Sequence, residues 1–385
     1  MNVPDQHVTD LQGVLGMTSH RFAEEFGGRV RFRGLGGRAG AVEAYRHLFR
    51  TGEPSPLTDA GVPFCPPSVA SLLREPCHEG ELLKFTHEVA GVPGRFDRLA
   101  TESVLIPMIG RKATLTHTLC VSSQVGCAMG CAFCETAQMG LIRHLSAAEI
   151  VAQWWTATHA LGRRPANVVF MGMGEPMDNL DEVLGAIAVL KDHNGPSLPI
   201  SKITVSTVGR VDGIARLGEK LHEPGWHRLN LAVSLNAPND AVRSGLMPIN
   251  RKWDLDELRR ALLAFPIYGG GKLCVEYVLI PGVNDLPGHA DEVADFLEPI
   301  NAHYRGHTER GSARAMINLI PYNPRRDSPW PAPDEESVER FMARLTERGV
   351  YVKRRRTKGR DLMGACGQLG SERIRQRRIV PLTTS

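Results

Sequence analysis

The sequence predicts an α/β protein whose central region forms a full or partial βα barrel. Short β-branched runs alternate with helical patterns there, which is typical of parallel βα units. Six or seven such units with right-handed crossovers would curl into a barrel. A cluster of cysteines directly follows the first of these runs. Active sites of such barrels lie at the C-terminal ends of the strands, so the cluster is placed as a strand-end active-site loop.

The strand predictions rest on short apolar, β-branched runs bounded by turn residues. The expected strands are residues 115–121, 167–171, 202–206, 229–235, 273–280, 315–320 and a late one near 350–353. Two helices between them have a recognisable start. Ser146 with Glu149, and Asp254 with Glu257, each form a capping-box pattern, which predicts helices through about residues 160 and 263.

Three regions differ in composition. Residues 1–98 contain Gly/Pro-rich stretches between short amphipathic patterns, which favours a small, mostly helical accessory domain. Residues 99–353 hold the βα pattern and are expected to be the core. Residues 354–385 are expected to be a basic C-terminal segment.

Composition favours a cytoplasmic protein. The 385 residues are 42% hydrophobic and 23% charged, no basic-then-apolar leader is visible, and no apolar run approaches the ~18 residues that span a bilayer. We therefore expect no membrane partner. The eight cysteines are too sparse for a disulfide scaffold and three of them cluster, which favours metal or catalytic use in a reducing compartment.

The positive charge is concentrated near the C-terminus. Residues 353–378 contain ten basic residues against two acidic ones, so this segment carries +8 and the rest of the chain −4. Such a focus favours a polyanionic partner, because each neutralised phosphate releases condensed counterions. A solvated basic tail is the alternative reading of the same charge.

The cysteine cluster is the strongest functional signal. Cys127, Cys131 and Cys134 form a C-x3-C-x2-C pattern that fits three corners of an iron–sulfur cube and leaves the fourth iron without a protein ligand. An open metal site is where chemistry takes place, whereas a closed site holds the fold together. The alternative is a structural zinc site, completed by Cys120, in an RNA-binding protein without catalysis.

Several collinear motifs give the cluster a context between about residues 100 and 370. They are Cys120-Val-Ser-Ser-Gln-Val-Gly-Cys127, Met171-Gly-Met-Gly-Glu-Pro176, Ser234-Leu-Asn-Ala-Pro-Asn-Asp240, Met247-Pro-Ile-Asn250, Ile320-Pro-Tyr-Asn-Pro324 and Ala365-Cys-Gly-Gln-Leu369. In this order they resemble the RlmN/Cfr family of radical S-adenosylmethionine (SAM) RNA methyltransferases, which act on an adenine of large-subunit ribosomal RNA. The resemblance implies a core barrel of the radical SAM type.

The resemblance implies one [4Fe–4S] cluster and SAM as cofactors. The vacant iron would chelate SAM, and an electron from the cluster would cleave it to a 5′-deoxyadenosyl radical. An adenine ring carbon is not nucleophilic, so ordinary attack on a methyl sulfonium would fail, and the cofactor carries this step. The expected reaction is methylation of adenine at carbon-2 in 23S rRNA and possibly tRNA. The alternatives are methylation at carbon-8 or of another RNA.

Two further cysteines and one glutamate have matches in the family. Cys366 matches the cysteine that is first methylated and then passes the carbon to the base. Cys120 matches the cysteine that resolves the protein–RNA adduct and leaves a transient disulfide with Cys366. Glu102 resembles a proton acceptor of the family; the alternative is an ordinary surface glutamate before a strand.

The remaining matches concern SAM and the partners. Positions matching SAM-binding residues are Gly174, Glu175, Ser206, Ser234, Leu235, Asn236 and Asn323. Asn236 stands where family members usually carry histidine, so this side chain cannot titrate near neutral pH. The family implies an RNA substrate contacted by residues 1–98, a low-potential electron donor such as a flavodoxin, and a monomer as the default. A radical enzyme acting on a small molecule or protein is the rival that the basic segment disfavours.

Overall fold

The computed structural model describes residues 13–110, 113–268, 273–306, 315–356 and 358–370. It divides into two compact units. The first comprises Met1–Val125, Ile142–Met173 and Asn179–Ile203, and the second comprises Gly126–Leu141, Gly174–Asp178 and Thr204–Ser385.

The first unit begins with helices. Helix α1 (Ser19–Phe26) starts where the Thr18 side chain accepts a hydrogen bond from the Arg21 amide, and α2 (Arg38–Thr51) ends at a left-handed glycine. Short helical segments lie at Val30–Arg33 and Ser55–Asp59. Phe22 of α1 and Tyr45 of α2 are fully buried with ring centroids 5.6 Å apart, so the two helices pack through aromatic side chains.

An antiparallel sheet follows the helices. Its strands are β1 (Val69–Cys77), β2 (Gly80–Val92), β3 (Phe96–Ile109) and β4 (Leu115–Cys120), paired in that order. The expectation of a mostly helical segment at residues 1–98 therefore holds for the described residues up to Asp59 and is wrong for β1 and β2. Every position of strand β1 is half-buried or exposed, so its apolar pattern is weak.

The chain next enters the parallel part of the fold. The short strands β5 (Gln124–Gly126) and β6 (Leu141–His144) pair with each other, and β7 (Asn167–Phe170) pairs in parallel with β4. Helices α3 (Ala147–Trp155) and α4 (Leu180–Lys191) complete the first unit. The capping box at Ser146 is present, and a π-helical turn extends α3 through Ala160, as the sequence predicts.

The second unit is built on a parallel sheet. Its strands, in spatial and chain order, are β8 (Ile203–Thr207), β9 (Asn230–Ser234), β10 (Leu273–Leu279), β11 (Ala315–Pro321) and β12 (Val352–Arg354). The helices are α5 (Val211–Lys220), α6 (Asp240–Leu246), α7 (Leu255–Ala264), α8 (Pro287–Gly306) and α9 (Glu335–Glu347). Each predicted strand is present with ends shifted by at most two residues.

The topology confirms the α/β prediction. Within the described residues of the second unit, β8 and β12 lie at opposite ends of the strand order and do not pair, so this sheet is open. The arrangement is a partial barrel rather than a closed one. The capping box at Asp254 is also confirmed at the start of α7.

No helix in the described ranges is both long enough and apolar enough to cross a bilayer.

Candidate active site

The three clustered cysteines lie on one loop between β5 and β6. The Cys127 amide donates to the Gly140 carbonyl at 3.0 Å and closes the loop at its base. Within it, the Cys134 amide donates to the Cys131 carbonyl at 3.1 Å. Gly130 has φ +69°, a left-handed conformation that a side chain would strain. The chain thus turns sharply between the first two cysteines.

The cysteine loop is anchored to neighbouring segments of the second unit. The Ala132 amide donates to the Leu246 carbonyl at the end of α6 (2.9 Å), and Arg325 Nε donates to the Ala132 carbonyl (2.9 Å). Apolar side chains pack against the loop; the buried members of this cluster are Cys131, Phe133, Leu246, Met247, Ile280 and Tyr322. The loop is therefore packed on a buried, largely apolar cluster.

Burial raises the pKa of all three thiols above the usual cysteine value. The charges of neighbouring cysteines raise the pKa of Cys127 and Cys131 further, and the Arg243 cation lowers that of Cys131. Three thiols on one loop, two of them buried and the third half-buried, are not stable together as thiolates without a compensating cation. Iron supplies that positive charge, so the donor set fits an iron–sulfur cluster.

In the described ranges, no three His, Cys, Asp or Glu side chains converge as they would around a single metal ion. A cube-shaped cluster does not require that convergence, because each of its cysteines binds a different iron.

Cys366 lies in a tight turn. The Gln368 amide donates to the Ala365 carbonyl at 3.1 Å, and Gly367 at the third position has φ +81°, as a type II turn requires. The Gln368 side chain braces the turn: its Oε1 accepts from the Ala365 amide (3.2 Å) and its Nε2 donates to the Pro324 carbonyl (3.0 Å). The position of Cys366 is thus set by local hydrogen bonds.

This turn is bonded directly to the cysteine loop. The Glu135 amide donates to the Gly367 carbonyl at 2.7 Å, and the Thr136 hydroxyl donates to the Leu369 carbonyl at 2.5 Å. Cys134 and Cys366 are therefore the chain neighbours of Glu135 and Gly367, the two residues joined by the first of these hydrogen bonds. Burial raises the pKa of the Cys366 thiol, and the Cys134 charge adds to this effect. The structure brings the Cys366 turn to the cysteine loop, although Cys366 follows Cys134 by more than 200 residues in sequence.

Glu175 is a buried carboxylate held by backbone donors. Its Oε2 accepts from the Val208 amide at 2.9 Å and its Oε1 from the Met177 amide at 3.1 Å. Burial raises its pKa to about 7, although the backbone bonds, the Thr207 hydroxyl and Arg210 oppose this shift. The preceding residue, Gly174, has φ +103°. This carboxylate suits an ammonium ligand, which would favour its charged form.

Asn236 follows β9 with an unusual backbone conformation. Its φ is +56°, which asparagine tolerates better than most residues. Its Oδ1 accepts from the Val278 amide at 2.9 Å, and its carbonyl accepts from Asn284 Nδ2 at 2.8 Å. Leu235, just before it, is buried. The Asn236 amide therefore fixes the loop that follows β9, a role that needs no titratable ring.

The other predicted SAM-binding positions also lie at strand ends of the second unit. Ser206 is near the end of β8, Ser234 ends β9, and Asn323 follows β11. Asn323 is buried, and its Oδ1 accepts weak hydrogen bonds from Arg360 Nη2 and Nε at 3.3 and 3.4 Å. All of these residues stand at the same end of the parallel sheet, as expected for a strand-end pocket.

Cys120 and Glu102 belong to the first unit. Cys120 is buried at the end of β4, in register with Val104 of β3 and Val169 of β7. Glu102 is buried within β3, and its Oε2 is 3.0 Å from the Lys84 ammonium. The reading of Glu102 as a surface residue before a strand is therefore wrong.

Sequence reasoning missed a row of polar side chains across the parallel strands of the second unit. Ser234, Glu276 and Asn318 are in register on β9, β10 and β11. Asn318 Nδ2 is 3.4 Å and Arg355 Nη1 is 3.9 Å from Glu276 Oε1. Burial raises the pKa of Glu276. An acidic residue inside the apolar run 273–279 was the signal that could have revealed this row.

Comparison with known proteins gives consistent matches. The Radical SAM superfamily model matches residues 121–297. A probable dual-specificity RNA methyltransferase RlmN 1 from Protochlamydia amoebophila is 42% identical over 299 residues, covering 76% of this chain and 77% of that protein. A dual-specificity RNA methyltransferase RlmN from Phenylobacterium zucineum is 42% identical, covering 71% of this chain and 68% of that protein.

A solved structure resembles the whole fold. The crystal structure of a radical SAM methyltransferase from Sphaerobacter thermophilus superposes with a TM-score of 0.75 at 32% identity, covering 92% of this chain and 98% of that one. Together with the identity to the curated relatives over more than two thirds of the chain, this similarity shows the family. The chain belongs to the RlmN family of radical SAM methyltransferases.

Proposed function

We propose that this protein methylates carbon-2 of an adenine in RNA, with 23S rRNA as the main substrate and tRNA as a second one. The relatives named as dual-specificity RNA methyltransferases support the substrate class. The observation that carries the proposal is the hydrogen bond from Glu135 to Gly367, which holds the Cys366 turn against the cysteine loop. A thiol held beside a radical-generating centre suits transfer of a methyl carbon.

As a radical SAM enzyme, the protein uses a [4Fe–4S] cluster and SAM. When bound, these groups supply a carbon-centred radical that ordinary side chains cannot provide. In this proposal Cys127, Cys131 and Cys134 hold the cluster. Gly174 and Glu175 bind the amino group of SAM, and Ser206, Ser234, Leu235, Asn236 and Asn323 line the rest of its pocket.

Cys366 acts as the methyl carrier in this proposal. Its sulfur would form a bond to the methyl carbon of one SAM as the sulfonium–methyl bond breaks, and the thiol proton would leave to solvent. The methylated sulfur would then give up one hydrogen atom to the carbon radical supplied by a second SAM, and its methylene would bond to the adenine ring carbon. This adduct would lose the ring proton to Glu102 and one electron to the oxidised cluster. Because the pKa of the Cys366 thiol is raised, little of it is thiolate at neutral pH. Methyl transfer to this sulfur therefore depends on how the protein positions it.

Cys120 and Glu102 complete the reaction in this proposal. Glu102 accepts the proton from the modified ring carbon, and the ion pair with Lys84 keeps this carboxylate oriented. Cys120 attacks the Cys366 sulfur, which releases the methylated base and leaves a disulfide. A low-potential donor such as a flavodoxin would supply the electrons for the next turnover.

Recognition of RNA is assigned to two regions. The +8 segment at residues 353–378 would contact phosphates, although residues 371–378 of it lie outside the described residues. Residues 1–98 form the accessory region that contacts RNA, residues 99–353 the catalytic core, and residues 354–385 the segment that carries Cys366. We further propose that the protein acts in the cytoplasm as a monomer.

A methyl-transfer assay with isolated components tests the proposal. Anaerobically purified, reconstituted protein is incubated with labelled SAM, a reductant and an RNA stem-loop containing one unpaired adenine, and the nucleosides are identified by mass spectrometry. We expect 2-methyladenosine from the loop and none from the same RNA annealed into a duplex, because the base must leave its stack. A protein that contains about one zinc and no labile sulfide, or that yields 8-methyladenosine, would overturn the proposal in favour of its alternatives.

A further inference from the structure

Arg243 is a fully buried cation in the short helix α6. Its guanidinium donates four hydrogen bonds to uncharged oxygens: the carbonyls of Val208 (2.6 Å), Ser234 (3.2 Å) and Leu235 (3.1 Å), and Asn250 Oδ1 (2.9 Å). A buried charge is costly unless it is well bonded, and here the planar fork is matched to several acceptors at once. Arg243 is therefore held in place by hydrogen bonds as well as by packing.

The three backbone acceptors of Arg243 lie at the ends of two neighbouring strands. Val208 follows β8, and Ser234 ends β9. The carbonyl of Val208 accepts from Arg243, while its amide donates to Glu175 at 2.9 Å. One residue thus connects the Arg243 fork to the carboxylate proposed to bind the SAM amino group. The same fork holds the backbone of Ser234 and Leu235, which are also proposed SAM-binding residues.

Helix α6 also supports the cysteine loop. Its last residue, Leu246, accepts the amide of Ala132 from that loop at 2.9 Å. Met247, whose amide donates to the Arg243 carbonyl at 2.7 Å, packs in the same buried cluster as Cys131, and the Arg243 charge lowers the pKa of the Cys131 thiol. Although burial lowers the pKa of Arg243 to about 10, the side chain stays charged at neutral pH. A permanent positive charge therefore lies beside one proposed cluster ligand.

We propose that Arg243 is a positioning residue with two separable roles: its planar fork shapes the SAM pocket, and its charge makes the cluster easier to reduce. This inference rests on the proposed assignment of Cys131 as a cluster ligand. Reduction adds one electron to the cluster, and a nearby buried cation stabilises the extra negative charge.

Two substitutions separate the roles. Arg243→Lys keeps a positive charge and loses the planar fork, whereas Arg243→Met loses both. SAM affinity is measured by equilibrium binding to the reconstituted protein, and cluster reduction by redox titration followed by electron paramagnetic resonance. Both measurements are made at pH 7 and at pH 6, where a buried lysine is more fully protonated.

We expect both variants to bind SAM about tenfold more weakly. Arg243→Met should also lower the equilibrium constant for cluster reduction about tenfold, which is about 59 mV for one electron, while Arg243→Lys leaves it near the wild-type value. Arg344→Lys and Arg344→Met are the matched controls, since Arg344 pairs with Asp291 at the surface, and they should change neither quantity. Wild-type values for both measurements in both Arg243 variants would overturn the proposal.

A second variant keeps the test decisive if Arg243→Met does not fold. Asp240→Asn removes a carboxylate charge that acts on Arg243, and its amide oxygen can still accept from Asn250 Nδ2, which lies 2.9 Å from Asp240 Oδ1 and bridges to Arg243. The Arg243 cation is then less compensated, so reduction should become about tenfold more favourable with SAM affinity within about threefold. An unchanged reduction equilibrium would overturn the electrostatic role. Neither measurement requires RNA, so a failure here is distinguishable from a failure of RNA methylation.

Discussion

The Glu135 amide and the Gly367 carbonyl form a 2.7 Å hydrogen bond between the cysteine loop and the turn that carries Cys366. Each partner is the chain neighbour of a cysteine, so the bond fixes Cys366 relative to Cys134 through the backbone alone. Such a contact tolerates changes of side chain but depends on the conformation of Gly367. The first prediction follows from this dependence.

Gly367→Ala should impair methyl transfer without loss of the cluster. Gly367 has φ +81°, and an alanine there costs about 1 kcal/mol of strain. The added Cβ would meet its nearest atom, the Phe133 carbonyl oxygen, at an ordinary 3.6 Å, so the effect is conformational rather than steric. We expect methyl transfer to fall about fivefold to tenfold with unchanged iron content.

Gly349→Ala is the control for this variant. Gly349 has φ +75° and no atom within 4 Å of the added Cβ, and it follows α9 rather than the cysteine loop. The strain is the same, so stability should fall by about 1 kcal/mol with methyl transfer preserved. Equal losses of activity in the two variants would contradict the role assigned to the Gly367 turn.

Replacing any one of the three loop cysteines should remove the cluster. Cys131→Ser leaves an oxygen where a thiolate is required, so the protein should lose its iron, its labile sulfide and its visible absorption. Cys274→Ser is the matched control, because Cys274 lies within β10 rather than on the cysteine loop. Full iron and sulfide content in Cys131→Ser would show that the cysteine loop does not hold the cluster as assigned.

Cys366→Ala and Cys120→Ala should fail at different stages. Without the Cys366 sulfur there is no methyl carrier, so neither product nor adduct should form. Without the Cys120 sulfur the carrier still reaches the base but cannot be released, so a covalent protein–RNA adduct should accumulate. Denaturing gel electrophoresis with labelled RNA detects the adduct. Normal turnover by either variant would exclude the role assigned to that cysteine.

Much of the second unit could be predicted from the sequence because parallel strands buried on both faces are continuous apolar runs. Strand β10, for example, was expected at residues 273–280 and is found at Leu273–Leu279. The antiparallel strand β1 was missed because it is half exposed and lacks such a run.

The parts of the candidate site that lie in recognisable sequence motifs, such as the cysteine loop and Cys366, could be predicted. Arg243 could not be predicted, because an arginine on a short helix normally faces water. Its burial depends on carbonyls of β8 and β9 that only the fold brings near. Glu276 lies in no motif, but it could have been noticed in the sequence because it is one acidic residue within an apolar strand.

His87 should make the protein less stable in mild acid. It is buried, its Nε2 is 2.6 Å from the Thr156 hydroxyl, and burial lowers its pKa to about 4. In the unfolded chain its pKa is about 6.5. As the pH falls from about 6.5 towards 4, only the unfolded chain takes up the proton, so the free energy of unfolding decreases.

Between pH 7 and pH 5 this loss should be about 2 kcal/mol, measured by urea unfolding. His87→Gln cannot take up the proton, so its loss over the same range should be smaller by that amount. His20→Gln, at an exposed position, should lose as much as wild type. If His87→Gln and wild type weaken in parallel between these pH values, the histidine does not have the assigned pKa.

The most direct test of the account is the mass of the peptide that contains Cys366, taken from protein reconstituted with its cluster and SAM and then digested under anaerobic conditions. We expect one added methyl group on Cys366 of this protein, and none when Cys131→Ser protein is treated in the same way, because binding of SAM depends on the cluster held by the intact cysteine loop. RNA methylation by a preparation whose Cys366 never carries that methyl group, before or during turnover, would contradict the account.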